Sequence, residues 1–262
     1  MGIKDKTIQL FSLYNIYSKK LEKEIRNGQL PNHIAIILDG NRRWARRNLV
    51  LKSDGHYHGA DAVENLLDWC EELGIKIITL YVLSAENLAR NDDELHYLFD
   101  LIKTRLEKLY NDPRIHKNRM RVKAIGRVEL LPESLKSVLN RLDEATKNYD
   151  SHYLNIAIAY GGHNELVDAV KKIASKIKDG SLDVNAINKD VIESCLYTSH
   201  LPQSSPDMIL RTSGEKRLSG FLIWQSAYSE LVFMDVFWPE FRKIDLMRAI
   251  RTFQKRSRRL GK

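Results

Sequence analysis

Two rhythms of apolar and polar positions alternate along the chain. Residues 7–26 carry Leu10, Phe11, Tyr14, Tyr17, Leu21 and Ile25 at helical spacing, with lysine and glutamate on the opposite face. That pattern predicts an amphipathic helix. Packing on the rest of the molecule and lying on a membrane surface both suit such a helix. Short continuous apolar runs follow, as in strands buried on both faces. They predict strands at 34–38, 77–83, 121–125, 154–160, 207–211 and 231–236. Helical periodicity fills the gaps, at 59–73, 92–110, 133–147, 164–178 and 244–258. Strand–helix alternation of this kind predicts a single α/β domain, with a mostly parallel six-stranded sheet flanked by helices. No internal repeat, low-complexity tract or linker interrupts it. Residues 1–30 read as a helical extension and 31–262 as the main domain.

Composition narrows the picture. With 262 residues, 43% of them hydrophobic, the chain can bury one sizeable core. No run of about 18 apolar residues exists to span a membrane. The polar start, Met1 to Lys6, does not resemble a secretory signal. Cys70 and Cys195 stand singly, without metal-ligand spacing, as buried thiols of a cytoplasmic protein would. The net charge of +8 suits nucleic acid, an acidic membrane or a phosphorylated ligand. Part of it crowds the last turns, at Arg248, Arg251, Lys255, Arg256, Arg258, Arg259 and Lys262. No RNA-binding or zinc-finger signature accompanies it, and nucleic acid is not expected.

In a parallel sheet, ligands bind outside the carboxyl ends of the strands. After the first strand come Asp39-Gly40-Asn41-Arg42-Arg43-Trp44. This segment combines a carboxylate, a glycine that permits close approach, a cap residue and two arginines. It suits a phosphate at a helix start, with a cation reconciling Asp39 to the anion. Asp-Gly-Asn is also ordinary turn chemistry. Ser84-Ala85-Glu86-Asn87-Leu88-Ala89-Arg90 follow the second strand, and Tyr160-Gly161-Gly162 the fourth. After the fifth, residues 211–219 gather Arg211, Arg217, Ser213, Ser219 and Gly214, either as an anion clamp or as a charged surface loop. Glu230 precedes the sixth strand and offers a second carboxylate. No nucleoside-triphosphate loop of the G-x-x-x-x-G-K-[ST] form is present.

Together these segments resemble the cis-prenyltransferases, the family of undecaprenyl and dehydrodolichyl diphosphate synthases. The resemblance runs from about Pro31 to Gly261. It is carried by His33 to Asn41 with Arg43-Trp44-Ala45, by Gly55-His56 with Gly59, and by Leu80-Tyr81 with Ser84 and Glu86-Asn87. Tyr160-Gly161-Gly162 and the block from Leu210 through Trp238-Pro239 complete it. It implies a homodimer that condenses an allylic prenyl diphosphate with isopentenyl diphosphate, with Mg²⁺, to form a cis double bond. Asp39 would hold the metal against the allylic diphosphate, with Glu230 as a further ligand. Gly40, Asn41, Arg42 and Arg43 would cradle that diphosphate, helped by His56. Trp44 would line the prenyl pocket. Asn87 would act near proton removal, flanked by Ser84, Ala85, Glu86 and Leu88. Arg90, Arg211, Arg217 and Ser219 would hold the second diphosphate, with Leu218 and Lys52 also binding substrate. Trp224 to Tyr228 would lie near the dimer interface. An apolar tunnel, with Val82 and Leu101 limiting its length, would take the growing tail.

The pattern departs at several positions. Lys52 stands for a usual arginine and loses its bidentate fork. Leu88-Ala89 replaces the usual start of a Trp-x-Arg motif, His163 a frequent arginine, and Gly220 a frequent asparagine. These changes fall on the acceptor side. They motivate an alternative in which the same ionising site serves another acceptor, such as dimethylallyl diphosphate or a hydroxyl compound.

Overall fold

The computed structural model describes residues 3–89 and 92–256, with side chains from Tyr14 onward except that of Asp92. Six strands form one sheet: β1 (His33–Ile37), β2 (Ile77–Ser84), β3 (Met120–Ile125), β4 (His152–Tyr160), β5 (Met208–Arg211) and β6 (Glu230–Phe233). Their order is β3-β4-β2-β1-β5-β6, and every neighbouring pair is parallel. β1 is buried along its whole length, as its uninterrupted apolar run requires. The chain leaves β1 toward β2 on one side, and β5 later pairs on the other. The carboxyl ends of β1 and β5 therefore flank the point where strand order reverses, the usual place for a ligand crevice.

Helices cover both faces. They are α1 (Ile3–Arg26), α2 (Asn41–Arg47), α3 (Lys52–Leu73), α4 (Asp92–Tyr110), α5 (Pro113–Lys117), α6 (Glu133–Thr146), α7 (Gly162–Lys178), α8 (Lys189–Cys195) and α9 (Lys243–Lys255). One face of the sheet, with Ile34, Ile36, Ile78, Leu80, Leu154 and Ile156, shares the largest core cluster with residues of α3, α4, α6 and α9. The other, with Ala35, Ile37, Tyr81 and Ala157, packs on Phe221 and Leu222. Leu21 and Ile25 of α1 are buried in the larger cluster, and Gln254 of α9 donates to the Ile25 carbonyl at 2.7 Å. Tyr14 and Ile16, nearer its start, are exposed. Leu10, Phe11, Arg258, Arg259 and Lys262 lie outside the described side chains. Among the described residues no helix is long and apolar enough to cross a membrane. Both cysteines are buried and free, and burial pushes the Cys70 thiol up to about 12.

The structure differs from expectation in two instructive places. α3 begins at Lys52 rather than near Gly59. Gly55 and Gly59 lie inside it because α2 passes too close for a side chain. A Cβ would sit 2.4 Å from the Asn41 carbonyl at the first and 2.3 Å from Asn41 Oδ1 at the second. β6 ends at Phe233, short of the expected Val236. Met234 and Val236 instead accept hydrogen bonds from Gly214 (2.9 Å) and Ser213 (2.7 Å), which ties the strand end to the loop after β5.

Candidate active site

The crevice between β1 and β5 is built by register. Ile37 pairs with Arg211, so Asp39, just past β1, stands beside the last residue of β5. Thr212 fastens the two tips: its hydroxyl donates to the Asp39 carbonyl at 2.6 Å and accepts from the Asp39 N–H at 3.1 Å. Arg211 is buried and donates from Nη2 to Asp39 Oδ2 at 2.8 Å. Arg43, one helical turn along α2, lies 3.2 Å from Oδ1. Burial of Asp39 works to raise its pKa, but the bond and charge of Arg211, then Arg43, outweigh it and hold the carboxyl below its usual range. Asp39 is therefore an anion at neutral pH. Gly40 has φ 112°, and a Cβ there would meet the Phe237 ring at 2.9 Å. Conformation and space both demand glycine.

The loop after β5 wraps the same charges. Arg43 donates to Glu215 at 3.0 Å, and Arg217 pairs with the other oxygen of that carboxylate. Arg211 also donates to Ser219 Oγ at 2.9 Å and to the Arg217 carbonyl at 2.5 Å. Leu218 turns inward onto the core that holds Phe221. The loop closes on the start of α7, where Gly162 N–H donates to the Gly220 carbonyl at 2.8 Å. Gly220 has φ 76°, a conformation that glycine and asparagine tolerate best. Its place of a usual asparagine is thus conservative for the backbone.

A second group of basic side chains meets on Glu94 of α4, a residue the sequence reading missed. Arg42 lies 3.4 Å, Lys52 3.9 Å and His56 3.4 Å from its carboxylate. Convergence on one acid from α2 and α3 depends on how those helices cross, which no local pattern reveals. Past β2, residues 85–89 form a 3₁₀ turn in which Asn87 Nδ2 donates to Ser84 Oγ at 2.7 Å. Ala85 lies against Gly161, Glu86 is exposed, and Leu88 packs on the main core. Arg90 lies outside the described residues.

Below this charged mouth runs a cavity of about 200 Å³, between the sheet face of β2 and β4 and the helices α3 and α4. Asn41, His56 and Trp238 stand at its mouth end, and Leu80, Val82, Leu98 and Leu101 line it. Val82 and Leu101 thus face the cavity as expected. Trp44 does not. Its indole donates to Glu240 at 3.1 Å and its ring edge meets His58, on the outer side of α2. Trp238 takes the lining position instead, with its N–H fixed to the Gly59 carbonyl at 2.7 Å. Glu230 requires a second correction. It is the first residue of β6 and pairs in register with Met208, the first of β5. In a parallel sheet that is the edge opposite Asp39. Glu230 lies 3.3 Å from Arg256 there, and one chain does not bring the two carboxylates together.

Among the described residues no three His, Cys, Asp or Glu side chains converge as a cation cage. The donor set suits a different arrangement. A single ionised carboxylate, flanked by arginines, fits a hard cation that keeps most of its ligands as water and phosphate oxygens. Asn41 Oδ1, a buried acceptor without a hydrogen-bond partner, sits at the cavity mouth beside it. Cations above and hydrocarbon below would suit a ligand with an anionic head and an apolar tail.

Comparison with known proteins gives the same picture. Residues 37–261 match the profile of a family described as "Putative undecaprenyl diphosphate synthase". A tritrans,polycis-undecaprenyl-diphosphate synthase (geranylgeranyl-diphosphate specific) of Methanopyrus kandleri is 48% identical over 255 residues, 97% of this chain and 93% of the relative. The protein of the same description from Methanocaldococcus jannaschii is 48% identical over 94% of this chain and 88% of its own length. Among solved structures, lavandulyl diphosphate synthase from Lavandula x intermedia, in complex with dimethylallyl diphosphate, superposes with a TM-score of 0.86. It is 31% identical over 89% of this chain and 99% of that one. A probable undecaprenyl diphosphate synthase from Campylobacter jejuni superposes at 0.72 with 30% identity, over the same shares of the two chains.

Proposed function

Since the chain belongs to the cis-prenyltransferase family, we propose that it elongates an allylic prenyl diphosphate with isopentenyl diphosphate to give a cis-polyprenyl diphosphate. It is a prenyltransferase, and family membership implies dependence on a divalent cation. Magnesium is the cation proposed, shared between Asp39 and the allylic diphosphate. Bound there, it would add positive charge to the departing diphosphate. The relatives at 48% identity carry names specifying geranylgeranyl diphosphate, which makes that compound the first starter to try.

One observation carries this reading: an ionised Asp39 between Arg43 and Arg211 at the mouth of an apolar cavity. Cleavage of the allylic C–O bond leaves an allylic cation and an anion of high charge. Arg43 and the 40–42 segment, with His56, are proposed to bind and orient that anion. Donors placed where charge grows stabilise the transition state more than the ground state. Arg211, Arg217 and Ser219, with Lys52 and Arg90, would hold the second diphosphate. Asn87, oriented by Ser84, would lie near the proton lost from the isopentenyl unit. The cavity walls would keep water from the cation. Residues 31–262 would form the catalytic unit, with 1–30 as a helical extension. A cytoplasmic location and a homodimer belong to the same reading; Tyr228, 70% exposed, in the segment expected at the interface, is in keeping with the dimer. Exposed Tyr14 and Ile16 favour contact between α1 and a membrane surface.

Incubation with geranylgeranyl diphosphate, labelled isopentenyl diphosphate and Mg²⁺ tests the function. Polyprenyl diphosphates that need both substrates, and vanish with EDTA, are expected. Condensed product from the allylic diphosphate without isopentenyl diphosphate would contradict this choice of acceptor.

A further inference from the structure

The turn between α2 and α3 puts hydrocarbon into water. Leu49 is 94%, Val50 42% and Leu51 72% exposed. Among the described residues no other run of three consecutive large apolar side chains is exposed. The turn is not slack. Val50 N–H donates to the Ala45 carbonyl at 3.0 Å, Leu51 N–H to Asp54 Oδ2 at 3.1 Å, and Asn48 Nδ2 to the Trp44 carbonyl at 2.9 Å. Leu49 has φ 57°, a left-handed conformation that glycine or asparagine adopts at less cost. A leucine held there, almost wholly in water, finds no apolar partner inside the fold.

The charge around this apolar tip is of one sign. From Gly40 to Ser53 the sequence holds Arg42, Arg43, Arg46, Arg47 and Lys52 and no acid. Arg46, Arg47 and Lys52 are exposed beside the tip. Outside the crevice of Asp39 and Glu215, the carboxylates that meet this segment are each engaged. Asp54 holds the turn's own backbone, Glu240 holds Arg47, and Glu94 is shared by Arg42, Lys52 and His56. An apolar tip with a basic collar matches a lipid surface with anionic headgroups, hydrocarbon meeting acyl chain and cation meeting phosphate.

Two further contacts place that surface. Glu240, which binds Arg47 and Trp44, lies two residues before Arg242, and the Arg242 guanidinium stands 5.9 Å from the exposed Tyr14 ring. The turn and the exposed start of α1 therefore share one side of the molecule. Lys52, the residue after the turn, lies one turn of α3 from His56 at the cavity mouth.

We propose that residues 48–51 anchor the protein on an anionic lipid surface, with Leu49 and Leu51 inserted at the acyl boundary and Arg46 and Arg47 against the headgroups. This deepens the membrane contact proposed for α1 by giving it a second anchor, and it does not rest on the elongation chemistry. Docked so, the cavity mouth stands beside the bilayer, the phase in which a prenyl chain dissolves.

Vesicle co-sedimentation of the full chain tests this, with phosphatidylcholine vesicles that hold either no anionic lipid or about a quarter phosphatidylglycerol. The unaltered protein is expected to prefer the anionic vesicles and to lose affinity as salt rises from about 0.1 to 1 M. Leu49→Ser with Leu51→Ser should weaken binding about tenfold or more, and Arg46→Ala about fivefold. The double leucine variant should keep its melting temperature, because both side chains lie in water. Val184→Ser, also exposed but in the connection after α7, should change nothing. Cys70 and Cys195 are buried, so an environment-sensitive probe on Leu49→Cys reports that site alone. Its fluorescence should rise and shift to shorter wavelength with anionic vesicles. Unchanged binding in the double leucine variant, or a probe that stays in water, overturns the inference. Loss of binding in Ile16→Ser and none in the leucine variant overturns it too, and leaves α1 as the anchor. A lipid-free protein whose mass in light scattering falls when Leu49 and Leu51 are replaced would assign the turn to contact between copies of this chain instead. None of these outcomes depends on elongation, which the incubation with both diphosphates tests separately.

Discussion

The two faces of the sheet, made by the same strands, bury their residues by opposite means. Toward α3 and α4, Ile34, Ile36, Ile78, Leu80, Leu154 and Ile156 present only hydrocarbon. Their sequence neighbours on the other face include His33, Thr79 and Asn155, all buried. These form a chain of hydrogen bonds. His33 Nε2 lies 2.8 Å from Thr79 Oγ1, and Asn155 donates to the same hydroxyl at 3.1 Å. His200 Nε2 lies 2.8 Å from Asn155 Oδ1. Strand alternation sorts the two sets. A wall that must receive an apolar ligand carries no polar group in need of a partner. The polar groups stand where each finds one.

The comparison breaks most visibly at Leu80, which lines the cavity and is 2% exposed. Leu80→Asn removes buried hydrocarbon and adds an amide with no partner on that face. A loss of about 3–5 kcal/mol in denaturant unfolding is expected. Tolerance of the change would show that the cavity face is wetter than its lining implies. On the other face the expected effect is graded with pH. Burial, the largest cause in each, lowers the pKa of His33 and of His200 to about 4, against an ordinary 6.5. Below pH 6.5 the unfolded chain takes up protons that the folded one refuses until about pH 4. Stability is therefore full above 6.5 and falls as pH drops through that window, on the order of 1 kcal/mol per pH unit for each histidine. Thermal melts from pH 7.5 to 4.5 should show this slope, and His33→Gln with His200→Gln should flatten it. An unchanged slope in the double variant would assign the acid sensitivity elsewhere.

Much of this was legible in the sequence, for identifiable reasons. Continuous runs such as Ile34 to Leu38 announced strands covered on both faces, and Asp39 and Arg211 followed from the rule that chemistry gathers at carboxyl ends. Glu230 was legible too: a residue that precedes a parallel strand sits at the opposite edge. Its reading as a second carboxylate took its nearness to a strand end without asking which end, and the resemblance then added the role of metal ligand. Trp44 and Trp238 could not be told apart by pattern, because their roles depend on the hydrogen bonds of each indole, to Glu240 and to Gly59. Glu94 was hidden for a similar reason. Its partners come from α2 and α3, and only the close crossing permitted by Gly55 and Gly59 brings them to one carboxylate.

The account depends most on the Asp39 carboxylate. The direct measurement is turnover of Asp39→Ala with saturating allylic and isopentenyl diphosphates and Mg²⁺, beside circular dichroism of the same sample. A fall in kcat of at least about 10²–10³, with an unchanged spectrum, is predicted. Turnover close to that of the unaltered protein would contradict the assignment of the β1–β5 crevice as the site of diphosphate departure.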